Sequence, residues 1–161
     1  MKPTFLIGFM GSGKSTIAKL LADDFVDLDT VIVEKIGMPI SDFFEQFGEA
    51  KFRELETETL KSLSTTHQII STGGGIVMSE ENRRFLKDAD VNVVYLEGDF
   101  DKLYARILAD KENIRPIAIS RTREELFEIY QHRADLYDAV ATHKICVTDK
   151  TPEEIVKEIQ L

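Results

Sequence analysis

Residues 7–16 of the chain read IGFMGSGKST, and this stretch decides the fold. It matches the phosphate-binding pattern G-x-x-x-x-G-K-[ST], with Gly8, Gly13, Lys14 and Ser15 at the fixed positions. An apolar run, TFLIGF, leads into the pattern and a helical segment, STIAKLLA, follows, which is the strand–loop–helix context that such a loop requires. We predict that backbone N–H groups here hold the phosphates of a nucleotide. Lys14 would reach the β- and γ-phosphates, and Ser15 would offer its hydroxyl to Mg²⁺.

Outward from this loop, short apolar runs alternate with helical segments. The runs are rich in Val and Ile, and they are TFLIGF, FVDLD, HQIIST, VNVVYLE and HKICVT. The helix starts between them carry capping boxes at Thr122 and Thr151 and candidate N-caps at Ser79 and Asp99. The alternation predicts an α/β fold of three layers, a parallel sheet covered by helices on both faces. Ligands then belong at the carboxyl ends of the strands.

Length and composition narrow the class of protein. The 161 residues fit a single domain spanning 1–161, and the formal net charge of −9 argues against a nucleic-acid partner, which usually requires a basic face. No segment approaches the roughly 20 apolar residues of a membrane span. Cys146 is the single cysteine, and its apolar run KICV predicts a buried strand residue. We therefore expect a cytoplasmic protein with no membrane partner.

Two segments interrupt the alternation. Residues 30–65 hold more helix than a simple crossover needs, with breaks at residues 37–39 and at Gly48. Residues 110–123, DKENIRPIAISRTR, are polar, contain three arginines and lack a clear period. Because insertions on a rigid sheet commonly bind substrate or close over it, we predict a substrate-binding helical insertion at about 30–65 and a lid at about 110–123.

The run FVDLD supplies a pair of carboxylates, Asp27 and Asp29. On a strand these side chains point the same way, so one could hold Mg²⁺ while the other meets an acceptor hydroxyl. The alternative, open at this point, is that they only end the strand and cap the next helix. No N-K-x-D stretch is present to read a guanine base, and neither HQIIS nor VNVVYLE ends in the Asp that motor and transporter ATPases use. These absences count against a switch, a motor and a transporter.

An acceptor pocket is indicated by residues elsewhere in the chain. Gly73, Gly74 and Gly75 follow the third apolar run and leave their backbone open to close approach by a ligand. Arg53, in GEAKFRELE, and Arg133, in QHRADLY, lie on predicted helices, where an arginine is by default exposed. Together with the carboxylate pair, these residues resemble a pocket for a small hydroxy acid, because the fork of an arginine binds both oxygens of a carboxylate.

These motifs, in this order, closely resemble those of the bacterial shikimate kinases. They cover nearly the whole chain and comprise GFMGSGKST, FVDLD, GEAKFRELE, TGGGIV, ENIRPIA and HRADLYDAVA. One departure is the spacing between Lys14 and Asp27, which is shorter than expected and predicts a trimmed first helix or turn. The resemblance implies a P-loop kinase fold with a five-stranded parallel sheet in the order 2-3-1-4-5. It also implies transfer of the γ-phosphoryl group of ATP to the 3-hydroxyl of shikimate, in aromatic amino-acid biosynthesis, by a monomer.

The resemblance further implies roles for single residues. The implied catalytic residues are Lys14, Asp29 and Arg115, with Arg115 in the lid. The implied ATP-binding residues are Gly11, Ser12, Gly13, Lys14, Ser15, Thr16, Arg106, Arg115 and Lys150. The implied shikimate-binding residues are Asp29, Arg53, Gly73, Gly74, Gly75 and Arg133. Mg²⁺ is the implied cofactor, and its implied residues are Ser15 and Asp27.

Two other functions stay open at this stage. One is a kinase of another small acceptor, such as gluconate or a nucleoside monophosphate, against which GEAKFRELE and TGGG argue. The other is a catalytically inactive nucleotide-binding regulator, against which the presence of Asp29 and Arg115 argues. Turnover of a panel of acceptors distinguishes all three.

Overall fold

A computed structural model of the chain describes residues 2–109 and 121–161. Five strands alternate with eight helices in this part of the chain. In order they are β1 (Thr4–Ile7), α1 (Lys14–Leu21), β2 (Val26–Asp27), α2 (Leu28–Ile36), α3 (Ile40–Phe47), α4 (Glu49–Ser64), β3 (Ile69–Ser71), a 3₁₀ turn (Ile76–Met78), α5 (Glu80–Asp88), β4 (Asn92–Glu97), α6 (Phe100–Ala109), α7 (Arg123–Val140), β5 (His143–Cys146) and α8 (Pro152–Glu158).

The strands form one parallel sheet in the order β2-β3-β1-β4-β5, which confirms the predicted fold. In the central strand β1, Phe5 pairs with Ile70 of β3 on one side and with Val93 of β4 on the other. Every residue of β1 is buried, as expected of a parallel strand covered on both faces. The loop that leaves its carboxyl end is the phosphate loop.

The two faces of the sheet carry separate hydrophobic clusters. On one face, Leu6 and Val94 pack with Ile17 of α1 and Ile155 of α8. On the other face a larger cluster includes residues of α2, α4, α5, α6 and α7. This is the predicted three-layer arrangement.

The helix starts agree with the predicted caps. The hydroxyls of Thr122 and Thr151 each accept a hydrogen bond from the third residue of their helices, and both capping boxes form. Ser79 accepts one from the N–H of Asn82, and Asp99 accepts one from the N–H of Lys102. Such side-chain acceptors satisfy N–H groups that have no partner within the helix. The starts of these helices could therefore be predicted from a few neighbouring residues.

Helices α2, α3 and α4 occupy the segment predicted as a helical insertion. Gly37 ends α2 in the left-handed conformation, with φ 68°, and Gly48 separates α3 from α4. The predicted lid lies outside the described residues from 110 to 120, and so does Arg115. Residues 121–123 of that prediction are described, and Arg123 is the first residue of α7.

Two local predictions were wrong. The strand expected over FVDLD ends at Asp27, and Asp29 is the second residue of α2, because a carboxylate oxygen of Asp27 caps the helix. Cys146 is exposed rather than buried. The reason is that β5 is an edge strand with alternating exposure, so that Ile145 packs on the core while Cys146 faces away from it. Among the described residues, no helix is long and apolar enough to cross a membrane.

Candidate active site

The phosphate loop joins β1 to α1 and borders a cavity of about 570 Å³. Gly13 caps α1 with φ 87°, a left-handed conformation that glycine adopts at little steric cost. Pro152 and Ile155 of α8 also line this cavity, a role that no motif indicated. The structure gathers around the cavity every described residue of the implied ATP-binding set, namely Gly11, Ser12, Gly13, Lys14, Ser15, Thr16, Arg106 and Lys150.

The side chain of Lys14 lies across the loop. Its Nζ donates hydrogen bonds to the carbonyl oxygen of Gly8 at 2.7 Å and to that of Phe9 at 3.2 Å. The ammonium also lies close enough to Asp29 to lower the pKa of that carboxyl group. Lys14 therefore stands between the phosphate loop and the carboxylate that follows β2.

Arg106 and Lys150 border both this cavity and an adjoining one of about 440 Å³. Nη1 of Arg106 donates to the carbonyl oxygen of Gly11 at 3.3 Å, which fixes α6 to the loop. Nζ of Lys150 pairs with Glu158 of α8 at 2.7 Å. These two cations mark the end of the site that lies away from β2.

Oxygen atoms from three elements meet at the start of α1. The hydroxyl of Ser15 donates to Oδ2 of Asp27 at 2.8 Å, and its oxygen lies 3.4 Å from the hydroxyl oxygen of Ser71 at the end of β3. No group of three or more His, Cys, Asp or Glu side chains suited to a metal occurs among residues 2–109 and 121–161. One carboxylate and a hydroxyl nevertheless fit Mg²⁺, which takes few protein oxygens beside water and phosphate.

Asp27 and Asp29 point into the same site although they do not share a strand. Oδ1 of Asp27 accepts from the N–H groups of Asp29, at 3.1 Å, and Thr30, at 3.4 Å. The helix-capping reading of this pair is therefore correct for Asp27, whose other oxygen contacts Ser15. Burial raises the pKa of the Asp29 carboxyl, and the neighbouring charge of Asp27 raises it further, while Lys14 and Arg53 lower it.

The glycines at 73–75 each give room to a different side chain. A Cβ added to the first would lie 2.7 Å from Oδ2 of Asp29, and one added to the third would lie 2.8 Å from Nη2 of Arg53. A Cβ on the middle glycine would lie 3.5 Å from Nη1 of Arg133. Contacts under 3.0 Å are too short for carbon against these groups. The turn therefore brings the carboxylate and both arginines close together.

Arg53 is held in place rather than exposed. Its Nη1 donates to both oxygens of Glu56, at 2.9 and 3.1 Å, and its Nη2 lies 3.4 Å from Glu49. The guanidinium also lies over the rings of Phe44 and Phe52. Burial raises the pKa of the Glu56 carboxyl to about 7, against the lowering effect of the Arg53 charge. The ion pair is thus nearly removed from solvent.

Arg133, on α7, is buried and lies against the middle glycine of the turn. It lies beside Tyr137, whose hydroxyl donates a hydrogen bond to the carbonyl oxygen of Gly74. The Nε atoms of Arg53 and Arg133 are both buried without a hydrogen-bond partner among residues 2–109 and 121–161. Unsatisfied buried donors are rare, and here two of them belong to side chains that lie against the same glycine turn.

Sequence reasoning missed three residues that support this site. Glu56 carried a detectable signal, since it lies three residues after Arg53 on the same helix and can pair with it there. Tyr137 and Asn82 carried none, because their partners are 63 and up to 26 positions away in the chain. Such contacts exist only once the helices have packed on the sheet.

A parallel sheet of this order, with a phosphate loop after its central strand, defines a P-loop kinase. A model of the shikimate kinase family matches residues 10–161. The shikimate kinases of Streptococcus gordonii and Enterococcus faecalis are 49% and 46% identical to the chain, over 96% and 99% of it and 96% of each relative. A structure of the Acinetobacter baumannii enzyme in complex with shikimate matches with a TM-score of 0.85 and 30% identity, over 98% of this chain and 90% of that one. The chain belongs to the shikimate kinase family.

Proposed function

We propose that this chain transfers the γ-phosphoryl group of ATP to the 3-hydroxyl of shikimate, giving shikimate 3-phosphate and ADP for aromatic amino-acid biosynthesis. The observation that carries the proposal is the glycine turn at 73–75, where Asp29, Arg53 and Arg133 meet beside the phosphate loop. A relative of this fold has been solved with shikimate bound, and the chain shares its family. The site must therefore bind the acid and the nucleotide next to each other, with the acceptor hydroxyl facing the γ-phosphate.

The two arginines bind the carboxylate of shikimate. Arg53 and Arg133 approach the glycine turn from different helices, and each has a buried Nε without a partner in the described part of the chain. A planar carboxylate accepts charge-assisted bonds from the terminal nitrogens of such guanidinium groups, and these bonds are stronger than those between neutral groups. Its two oxygens also balance the positive charge that the arginines bury. This end of the pocket selects an acid.

Asp29 meets the hydroxyl that is phosphorylated. Its carboxylate lies against Gly73, on the phosphate-loop side of the pocket, within the field of Lys14. An acceptor hydroxyl donates a hydrogen bond to this carboxylate and is thereby aimed at the nucleotide. Because phosphoryl transfer has a loose transition state with little need for a strong base, orientation is the larger contribution of Asp29.

The nucleotide occupies the cavity of about 570 Å³ that the phosphate loop borders. Lys14 and the N–H groups at the start of α1 bind its phosphates, and the adenine lies towards Arg106 and Lys150, where the second cavity opens. Ser15 and Asp27 would hold Mg²⁺. When bound, that ion neutralises charge on the β- and γ-phosphate oxygens. Arg115, outside the described residues, is predicted to close over the phosphates.

Several finer expectations belong to the same proposal. The helical segment α2–α4 carries Arg53 and binds the acid, so it acts as the substrate-binding insertion. We expect the enzyme to work in the cytoplasm as a monomer with ATP and shikimate as its partners. Light scattering of the purified protein across a range of concentrations would test the monomer.

An acceptor panel tests the function. ADP release from ATP and Mg²⁺ is measured with shikimate, with gluconate, with nucleoside monophosphates and with no acceptor. We expect strong stimulation by shikimate alone. Stimulation by another acceptor in place of shikimate would favour a different small-molecule kinase. Binding of ATP without turnover of any acceptor would favour an inactive nucleotide-binding regulator.

A further inference from the structure

We propose that Asn82 is a positioning residue for shikimate binding, because its side-chain amide fixes both the partner of Arg53 and the turn that follows the three glycines. The inference rests on the proposed function, since it concerns the affinity for the carboxylate of shikimate. Asn82 lies outside the pocket and acts through Glu56 and Ile76. It touches neither substrate.

All polar atoms of the Asn82 side chain are engaged in the protein interior. The residue is fully buried on α5. Its Nδ2 donates to Oε1 of Glu56 at 3.0 Å and to the carbonyl oxygen of Ile76 at 3.0 Å. Its Oδ1 accepts a hydrogen bond from the hydroxyl of Thr57. With donors and acceptor all occupied, the amide has one orientation.

The first branch of this network leads to Arg53. Oε1 of Glu56 accepts from Asn82 and also from Nη1 of Arg53, at 2.9 Å. Glu56 is almost completely buried, so no solvent replaces the amide if it is removed. A buried carboxylate that loses a donor either turns away or takes up a proton. In both cases Arg53 loses its fixed partner.

The second branch leads to the glycine turn. Ile76 directly follows Gly75, and Gly75 is the position where a Cβ would clash with Nη2 of Arg53. By binding the carbonyl of Ile76 and the carboxylate of Glu56, one amide sets the spacing between that turn and the guanidinium. A change in this spacing of even about 1 Å is enough to spoil a bidentate contact.

The charge environment gives the network a second readout. Three groups act on the carboxylate of Glu56. Arg53 lies on the same helix, α4, Asp29 lies on α2, and the uncharged amide of Asn82 lies on α5. The pKa of Glu56 is already raised to about 7 by burial, and the Asn82 bond lowers it. Without that bond Glu56 is protonated at a higher pH. The KM for shikimate should then begin to rise at a higher pH as the solution is acidified.

The test compares Asn82→Ala and Asn82→Asp with wild type, measuring kcat and the KM for each substrate between pH 6 and 9. We expect the KM for shikimate to rise about tenfold, since loss of a buried hydrogen bond to a charged group typically has an effect of this size. The KM for ATP and kcat should change less than about twofold. The pH below which the KM for shikimate rises should move upward. Asn82→Asp keeps the size of the side chain and its acceptor for Thr57, so it carries the comparison if Asn82→Ala does not fold.

Thr59→Val is the matched control. Thr59 is equally buried on α4, but in the described part of the chain its hydroxyl donates to the carbonyl of Leu55 and accepts from Nζ of Lys35, and it makes no hydrogen bond to Glu56. The KM of the Thr59→Val enzyme for shikimate should stay at the wild-type value even if this variant is less stable. The inference would be overturned, with wild-type activity intact, by an unchanged KM for shikimate in folded Asn82 variants. It would also be overturned if kcat fell and the KM values for both substrates rose by similar factors. Wild type that does not use shikimate at all would instead overturn the proposed function, and the inference with it.

Discussion

Arg53 is a largely buried cation and Arg133 a buried one, in a chain whose formal net charge is −9. Burying a charge is unfavourable unless it is paired, and Arg53 meets this condition by sharing Glu56 and Glu49. Each arginine still presents a buried Nε that finds no partner in the described part of the chain. At the residue scale, the site therefore presents two guanidinium groups side by side at the glycine turn.

Arg53→Ala should weaken shikimate and leave ATP nearly unaffected. Removing one charged partner in a buried site costs about 2–5 kcal/mol, so the KM for shikimate should rise at least about thirtyfold. Steady-state kinetics with each substrate varied in turn measures the difference. Lys51→Ala is the matched control, since Lys51 is an exposed residue of the same helix. Unchanged shikimate affinity in Arg53→Ala would remove Arg53 from the pocket.

Lys14→Ala should lower kcat with little effect on shikimate binding. Lys14 lies across the phosphate loop, where charge develops on the transferred group, so its loss is expected to reduce kcat by a factor on the order of 10²–10³. The same split is predicted for Arg115→Ala. Rapid-quench measurement of the chemical step, with Lys19→Ala as an exposed control on the same helix, would show it. A Lys14→Ala enzyme with wild-type kcat contradicts the assignment.

At the scale of single elements, the turn at 73–75 connects the acid pocket to the phosphate loop. The middle glycine lies near the carbonyl of Gly8, and its own carbonyl accepts the hydroxyl of Tyr137. The backbone of all three glycines lies outside the left-handed region. An alanine there would be compatible with the backbone, so substitution tests contact with neighbouring side chains and not strain.

Gly73→Ala should lower kcat more than Gly74→Ala. The added methyl at position 73 would meet the carboxylate of Asp29 at 2.7 Å, and Asp29 is a short side chain at the start of α2 with little freedom to move. At position 74 the nearest atom is 3.5 Å away, an ordinary contact. We expect a fall of about tenfold or more for the first and a smaller one for the second. Circular dichroism checks that both variants fold, and equal kcat values would refute the contact.

Local signals in the sequence predicted some elements well and others not at all. The phosphate loop, the helix caps and the strand order could be read because each depends on a motif, on neighbouring residues or on a family pattern. Asp29 was expected on a strand, since FVDLD alone does not distinguish a pair of carboxylates on one strand from a strand end at which Asp27 caps the next helix. The exposure of Cys146 follows from the position of β5 at the edge of the sheet, and the apolar run KICV does not reveal that position. Asn82 and Tyr137 could not be found, because their roles arise from packing between distant helices.

At the scale of the whole molecule, the larger hydrophobic cluster includes residues of α4 and α7, the helices that carry Arg53 and Arg133. Glu56 is a buried acid on α4, so its protonation is linked to global stability. Its pKa is about 7 in the folded chain against an ordinary 4.5. The folded state therefore binds the proton more tightly than the unfolded state. The free energy of unfolding must fall through this group as pH rises from about 4.5 to about 7.

Glu56→Gln should flatten this pH dependence. Chemical denaturation at several values between pH 4.5 and 7 should give a shallower decline in the free energy of unfolding than wild type, because the titrating group is absent. Glu54→Gln, an exposed acid on the same helix, should keep the wild-type slope. Parallel slopes for wild type and Glu56→Gln would show that Glu56 does not titrate in this range.

In the proposed reaction, one hydroxyl of one acid receives the phosphoryl group. The most direct measurement is phosphorus and proton NMR of the product formed by wild-type enzyme from ATP, Mg²⁺ and shikimate. We predict a single new phosphate ester, coupled to the proton on carbon 3 of shikimate and formed in step with ADP. A phosphate on another hydroxyl, or ADP released without any phosphorylated acid, would contradict the account.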